Sequence, residues 1–173
     1  LGIRKRRPGK RPRPIVLAEV PNRIVQRAIL DVIQAHPAIE PLLWSEHSFG
    51  GIPGRGCREA IAEVATAIDG GCAYFQRTDI KDFFTQIPRE QIIGQLGPKL
   101  GDGKFVALIR AGATTTLRNL EELTDDLDLF PLQERGVAQG SALSALLGNL
   151  LLETFDREMN GRGVRMVRYI DDF

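Results

Sequence analysis

Val164-Arg165-Met166-Val167-Arg168-Tyr169-Ile170-Asp171-Asp172 is an apolar-rich run that ends in two carboxylates, with Phe173 behind them. Val164 to Tyr169 carries enough β-branched and aromatic side chains to predict a strand. Neighbouring side chains on a regular strand face opposite ways, so Asp171 and Asp172 act together only if the backbone turns at them. A hairpin apex is expected there. A second run, Cys72 to Ile80, follows Gly70-Gly71, is rich in β-formers and delivers Asp79 at its C-terminal end. Side by side, the two strands would gather three acids, a hard-oxygen set that suits Mg²⁺. Two-metal phosphoryl transfer needs carboxylates from separate elements, because ions about 3.5–4 Å apart must be held against their repulsion. An acidic pair alone carries little weight. Asp125-Asp126, in the polar segment Leu123 to Asp128, lacks strand or aromatic context and is assigned no function.

Around these two runs the pattern is helical. Ile24, Val25, Ala28, Ile29, Val32 and Ile33 recur at helical spacing and predict a core helix from about Pro21 to Ala35, behind a short edge strand at Ile15 to Val20. Gly50, Gly51, Pro53, Gly54 and Gly56 require an irregular loop, and Arg58 to Ile68 reads as a helix closed by Gly70-Gly71. Pro88 starts a helix to about Leu96, and Phe105 to Ala111 is another helical piece before a polar stretch at Thr114 to Gln133. Ser141 is an N-cap candidate for a long helix in which Leu143, Leu146, Leu147, Leu150, Leu151, Phe155 and Met159 keep a 3.6-residue period, ended by Asn160-Gly161-Arg162-Gly163. Helices alternating with two acid-tipped strands make an α+β plan.

Composition narrows the class further. The chain has 173 residues, 43% hydrophobic and 26% charged, enough for a real core in one domain or a tightly joined pair. The most apolar stretch, Leu143 to Leu152, is interrupted by Ser144, Gly148 and Asn149, so no membrane span, and no apolar signal core, is expected. A cytoplasmic location is the resulting expectation. Cys57 and Cys72 are too few for a disulfide framework and lack zinc spacing, and His36 and His47 lack ligand companions. The net charge of +1 conceals an asymmetry: Arg4, Lys5, Arg6, Arg7, Lys10, Arg11 and Arg13 all precede Glu19, and subtracting these seven cations leaves −6. A basic arm of this kind suits phosphate backbones, and it equally describes a solvated tail.

Taken together, the blocks resemble the reverse transcriptase family, in order, over nearly the whole chain. Thr78-Asp79-Ile80-Lys81-Asp82-Phe83-Phe84 resembles its first palm motif; Gly136-Val137-Ala138-Gln139-Gly140-Ser141-Ala142-Leu143-Ser144 with Asn149 resembles its second; Tyr169-Ile170-Asp171-Asp172 resembles its YxDD motif. Arg13-Pro14-Ile15, Arg23 to Ile29 and Ser48 to Gly56 are similar to the fingers of bacterial members: group II intron proteins, retrons and defence-associated enzymes. The resemblance implies a right-hand polymerase, with fingers at 1–55 and 89–135 and a partial palm at 56–88 and 136–173. That palm would be an incomplete ferredoxin/RRM-like sheet with helices, and the thumb would be absent.

It implies that Asp79 and Asp171 hold two Mg²⁺ ions, with Mn²⁺ as a substitute, that the Ile80 carbonyl is a further ligand, and that Asp172 supports the site. Phe84 matches the steric gate against a ribose 2′-OH, Gln139 the glutamine beside the sugar and nascent pair, and Arg13 the arginine on the triphosphate. Arg7 and Lys10 stand where a companion cation is needed, and Arg55 and Gly140 where template or primer passes. Partners would be an RNA template, a DNA or RNA primer, deoxynucleotides, and the remainder of palm and thumb. This piece alone is expected to be inactive or weakly active, and its unfinished sheet edge favours self-association.

Ala138, Ala142 and Ala145 stand where relatives often carry proline or other residues, and Ile170 replaces a smaller one. Two other readings share the pattern: a catalytically silent nucleic-acid-binding module, and a template-independent or protein-primed polymerase. The acidic trio favours catalysis, since idle clustered carboxylates only repel one another.

Overall fold

Helices supply most of the main core. In the computed structural model the backbone is described for residues 1–7, 10–132 and 134–173, and side chains for all of these except 6, 7, 10, 11, 124 and 125. In chain order come strands β1 (Gly2–Arg7) and β2 (Lys10–Val16), then helices α1 (Val20–Gln34), α2 (Glu40–Leu43), α3 (Cys57–Asp69), α4 (Phe83–Gln86), α5 (Arg89–Leu100) and α6 (Gly103–Ala113). A 3₁₀ segment, Leu120–Leu129, leads to the long helix α7 (Leu143–Gly161). Among the described residues, no helix is long and apolar enough to cross a membrane.

Ile29, Leu30 and Ile33 of α1 meet Ile92, Ile93 and Leu96 of α5, Val106 and Ile109 of α6, and Leu143, Leu146 and Leu147 of α7. Each such burial contributes roughly 1.5–3 kcal/mol relative to exposure. The helix ends follow local chemistry. Asp102 accepts from the Lys104 and Phe105 amides at 2.9 and 3.0 Å to cap α6, and Gly70 closes α3 as expected. Ser141 falls one residue short of the cap position, held by Ala142, but its hydroxyl still accepts from the Leu143 amide at 3.2 Å.

Two helical faces differ from the expected ones. The buried residues of α1 are Ile29, Leu30 and Ile33, while Val20, Ile24, Val25 and Val32 are exposed. In α7 the buried face turns past Leu147 so that Leu152 and Asp156 point inward while Phe155 is exposed. An aspartate replaces the anticipated apolar stripe because a cation waits for it inside.

The basic opening is a β-hairpin rather than a tail, and the expected strand at Ile15 to Val20 lies earlier, ending at Val16. β1 and β2 are antiparallel, with Gly2 opposite Val16, Ile3 opposite Ile15 and Lys5 opposite Arg13. A second core of Val16, Leu117, Leu123, Leu129, Phe130 and Ala138 seats this hairpin on the 3₁₀ segment. The side-chain amide of Asn119 donates to the Gly2 carbonyl at 2.9 Å, and its oxygen accepts from the Gly2 amide at 2.8 Å. Arg4 reaches Asp126 at 2.8 Å, which gives one member of the second acidic pair a structural task.

The two runs expected as strands, Cys72 to Ile80 and Val164 to Tyr169, form only short bridges at their acid-bearing ends. A strand exists through its partner. Among the described residues no strand pairs with 72–77, and Tyr74 and Phe75 stand 97% and 84% exposed.

Candidate active site

The three acids meet because two short segments pair. Thr78 and Phe173 exchange backbone hydrogen bonds of 3.1 and 3.0 Å, the Ile80 amide donates to the Asp171 carbonyl at 3.2 Å, and Asp79 faces Asp172 across the ladder. Between the segments, Tyr169 and Asp172 close a two-residue turn by bonds of 2.8 and 3.2 Å, with Ile170 and Asp171 at its apex. Ile170 has φ +63°, a conformation normally left to glycine at such an apex. Placing a β-branched residue there costs about 1–2 kcal/mol. Gly50 lies directly against it, where an added Cβ would sit 2.4 Å from Ile170 Cγ1 and 2.7 Å from its amide nitrogen. Only a residue without a side chain fits under the turn.

The carboxylates are not equivalent. Both oxygens of Asp172 are taken by Arg77, at 2.9 Å from Nε and 2.7 Å from Nη2, and this pairing lowers the Asp172 pKa. Asp171 is displaced upward, first by burial, then by the charges of Asp79 and Asp172, with Arg13 opposing. Among the described residues no three His, Cys, Asp or Glu side chains form a ready metal cage. With Asp172 engaged, Asp79 and Asp171 remain as the mutually repelling pair. Mg²⁺ is commonly held by one or two carboxylates with waters and substrate phosphates completing its shell, so the donor set fits that ion.

The other residues singled out from sequence lie around this point. Arg13, exposed on β2, is close enough for its charge to act on Asp171. Phe84 is half-buried on α4, packs edge-on against Phe83 with centroids 5.3 Å apart, and its carbonyl accepts from the Val137 amide at 2.7 Å. Gln139 is half-buried in the turn Ala138-Gln139-Gly140-Ser141, closed by a 3.0 Å bond from the Ser141 amide to the Ala138 carbonyl. The Gln139 carbonyl accepts from the Val16 amide at 2.9 Å, so the turn is tied to the basic hairpin. Ile80 is half-buried against the main core. The side chains of Arg7 and Lys10 lie outside the described residues. Arg55 is occupied locally: its Nη1 donates to the carbonyls of Ser45, Glu46 and Ser48, and its guanidinium lies over Trp44 and Phe49.

Three participants escaped the reading of the sequence. Arg77, Asp156 and Arg168 carry no local signal, since their partners lie 95 or 12 residues away on other elements. Asn149 was grouped with the second block, but its bond to the Gly50 carbonyl, at 2.9 Å, was not foreseen.

Fold and site together define a mixed helical and β domain that gathers carboxylates at a tight turn beside a cationic hairpin. The chain belongs to the reverse transcriptase (RNA-dependent DNA polymerase) family, whose profile matches residues 3–173. It is 32% identical over 144 residues to an uncharacterised 91 kDa protein in the cob intron of Schizosaccharomyces pombe, covering 83% of this chain and 16% of that protein. It is 27% identical to protein YkfC of Escherichia coli K12, covering 87% and 38% respectively. It is 28% identical to the group II intron-encoded protein LtrA of Lactococcus lactis, covering 86% and 23%. The chain therefore spans well under half the length of these relatives.

Proposed function

We propose that this chain is the fingers and part of the palm of an RNA-templated DNA polymerase of the group II intron type, with the boundaries given above. The observation that carries the reading is the pairing of 78–80 with 171–173, which sets Asp79 opposite Asp172 at the turn holding Asp171. In the reaction, the primer 3′-oxygen bonds to the α-phosphorus of a deoxynucleotide and pyrophosphate leaves. Asp79, Asp171 and the Ile80 carbonyl would hold the divalent ions, which when bound offset charge on the hydroxyl and phosphates. Asp172, gripped by Arg77, keeps the outer arm of the turn in register. Arg13 supports the triphosphate, its fixed charge matching negative charge that grows during transfer. Phe84 would stand against the sugar, Gln139 beside the nascent pair, and the basic hairpin with Gly140 along the template.

The test is primer extension by the full polypeptide that contains this chain, with oligo-dT on poly-rA and Mg²⁺. Asp171→Asn is expected to lower the rate on the order of a thousandfold. Full activity in that variant would remove the mechanism. Tight binding of primer–template without extension by the unaltered protein would favour a silent binding module, and incorporation without template would favour the template-independent reading.

A further inference from the structure

We propose that Arg168 is a positioning residue for the catalytic turn, and that Asp156 and Asn149 exist in α7 to hold it in that role. This rests on the polymerase reading above. Arg168 and Asp156 are each only 1% exposed. Arg168 Nε donates to Asp156 Oδ1 at 2.8 Å and Oδ2 at 3.2 Å, and Nη2 donates to Oδ2 at 2.5 Å, so one edge of the guanidinium is saturated by the helix. Its remaining nitrogen, Nη1, points the other way and donates to two acceptors, Asn149 Oδ1 and the Ile170 carbonyl, both at 2.8 Å. Ile170 is the residue whose backbone adopts the left-handed conformation at the turn apex.

The geometry explains why these residue types are needed. A guanidinium is a rigid fork with donors on two edges, so a single group can lock onto a carboxylate and still reach a carbonyl on the far side; an ammonium cannot hold that spacing. Asn149 completes the arrangement, accepting from Arg168 while donating to the Gly50 carbonyl, and Gly50 lies under Ile170. The Arg168 backbone is also held by the preceding loop: its amide donates to the His47 carbonyl at 2.7 Å and its carbonyl accepts from the Phe49 amide at 2.9 Å. The turn is thereby referenced to α7 and to the loop at 47–50 at once. Asp171 rides on the carbonyl that Arg168 holds.

A buried ion pair can also be merely structural, and the experiment separates the two roles. Removing one partner strands a charge, whereas replacing both with apolar residues of similar size commonly preserves stability. The double variant Arg168→Met with Asp156→Leu is therefore expected to unfold at a temperature close to the unaltered protein. Its turn should still loosen: hydrogen exchange at the Tyr169, Asp172 and Ile80 amides should quicken on the order of tenfold, with the middle of α7 unchanged. In the full polypeptide, kcat should fall roughly a hundredfold with KM for primer–template within about twofold. Recovery of kcat together with stability, or turn amides as protected as before, would overturn the proposal. Should the double variant not fold, Arg168→Lys decides: it keeps the charge but not the fork, and unaltered exchange and kcat in it would equally overturn the proposal. The exchange measurement does not need polymerase activity, so failure of the unaltered protein to extend a primer counts against the function and leaves this inference to be judged by the amides.

Discussion

Two tight turns border the site and solve the same backbone problem differently. Ala138-Gln139-Gly140-Ser141 and Tyr169-Ile170-Asp171-Asp172 are both closed by an amide-to-carbonyl bond across four residues, of 3.0 and 3.2 Å, and each needs one residue with positive φ. The first places glycine there, at φ +114°, with an added Cβ lying 2.8 Å from the Val16 carbonyl oxygen. The second places isoleucine there, at φ +63°. In the first turn the residue type removes the strain, whereas in the second the surroundings contain it. A turn held by its neighbours places its apex with respect to them, which is what an apex bearing Asp171 requires.

Substitutions can break this contrast. Gly140→Ala should destabilise the fold by about 3 kcal/mol, combining unfavourable φ with a clash against β2. Urea denaturation reads this directly, and a loss of a few tenths would show that β2 yields easily. Ile170→Gly should change stability by less than about 1 kcal/mol, because relief of left-handed strain offsets lost packing and added chain entropy. A loss of about 2 kcal/mol or more, as for truncation of an ordinary core isoleucine, would mean that the turn is unstrained.

The smallest effect concerns Asp171 itself. Its folded-state pKa is raised, chiefly by burial, so the protonated form is the one favoured by the fold. Stability linked to this group is complete below the ordinary aspartate value and is lost as pH rises through the folded one. Without divalent ions, Asp171→Asn should therefore melt slightly higher than the unaltered protein at neutral pH, with the gap closing as the medium is acidified through the aspartate range. Thermal scans in chelator across that range check it, and a gap independent of pH would remove the electrostatic explanation.

Much of this was legible in the sequence because it depends on local pattern. The helices follow a 3.6-residue recurrence, and Asp79, Asp171 and Asp172 could be expected to converge since each ends an apolar run. The failures share a cause: they depend on partners distant along the chain. The run at 72–77 has strand composition and, among the described residues, no strand beside it, while the basic opening became a strand pair because Leu117, Leu123 and Phe130 provide a surface for it. Asp156 breaks the apolar period of α7 and reads as a solvated position until Arg168 is seen opposite it.

The Asn119 clamp on Gly2 bears on the order of events during synthesis. It joins residues 117 positions apart, and Arg4 and Asp126 are 122 apart. At roughly 5–20 residues per second, about 120 residues take on the order of ten seconds to emerge. Throughout that interval the β1–β2 hairpin has its cations but lacks its seat, so it docks only after the segment that follows it by more than a hundred residues has been made. An unseated basic hairpin is available to polyanions while translation continues, before the domain to which it belongs has closed.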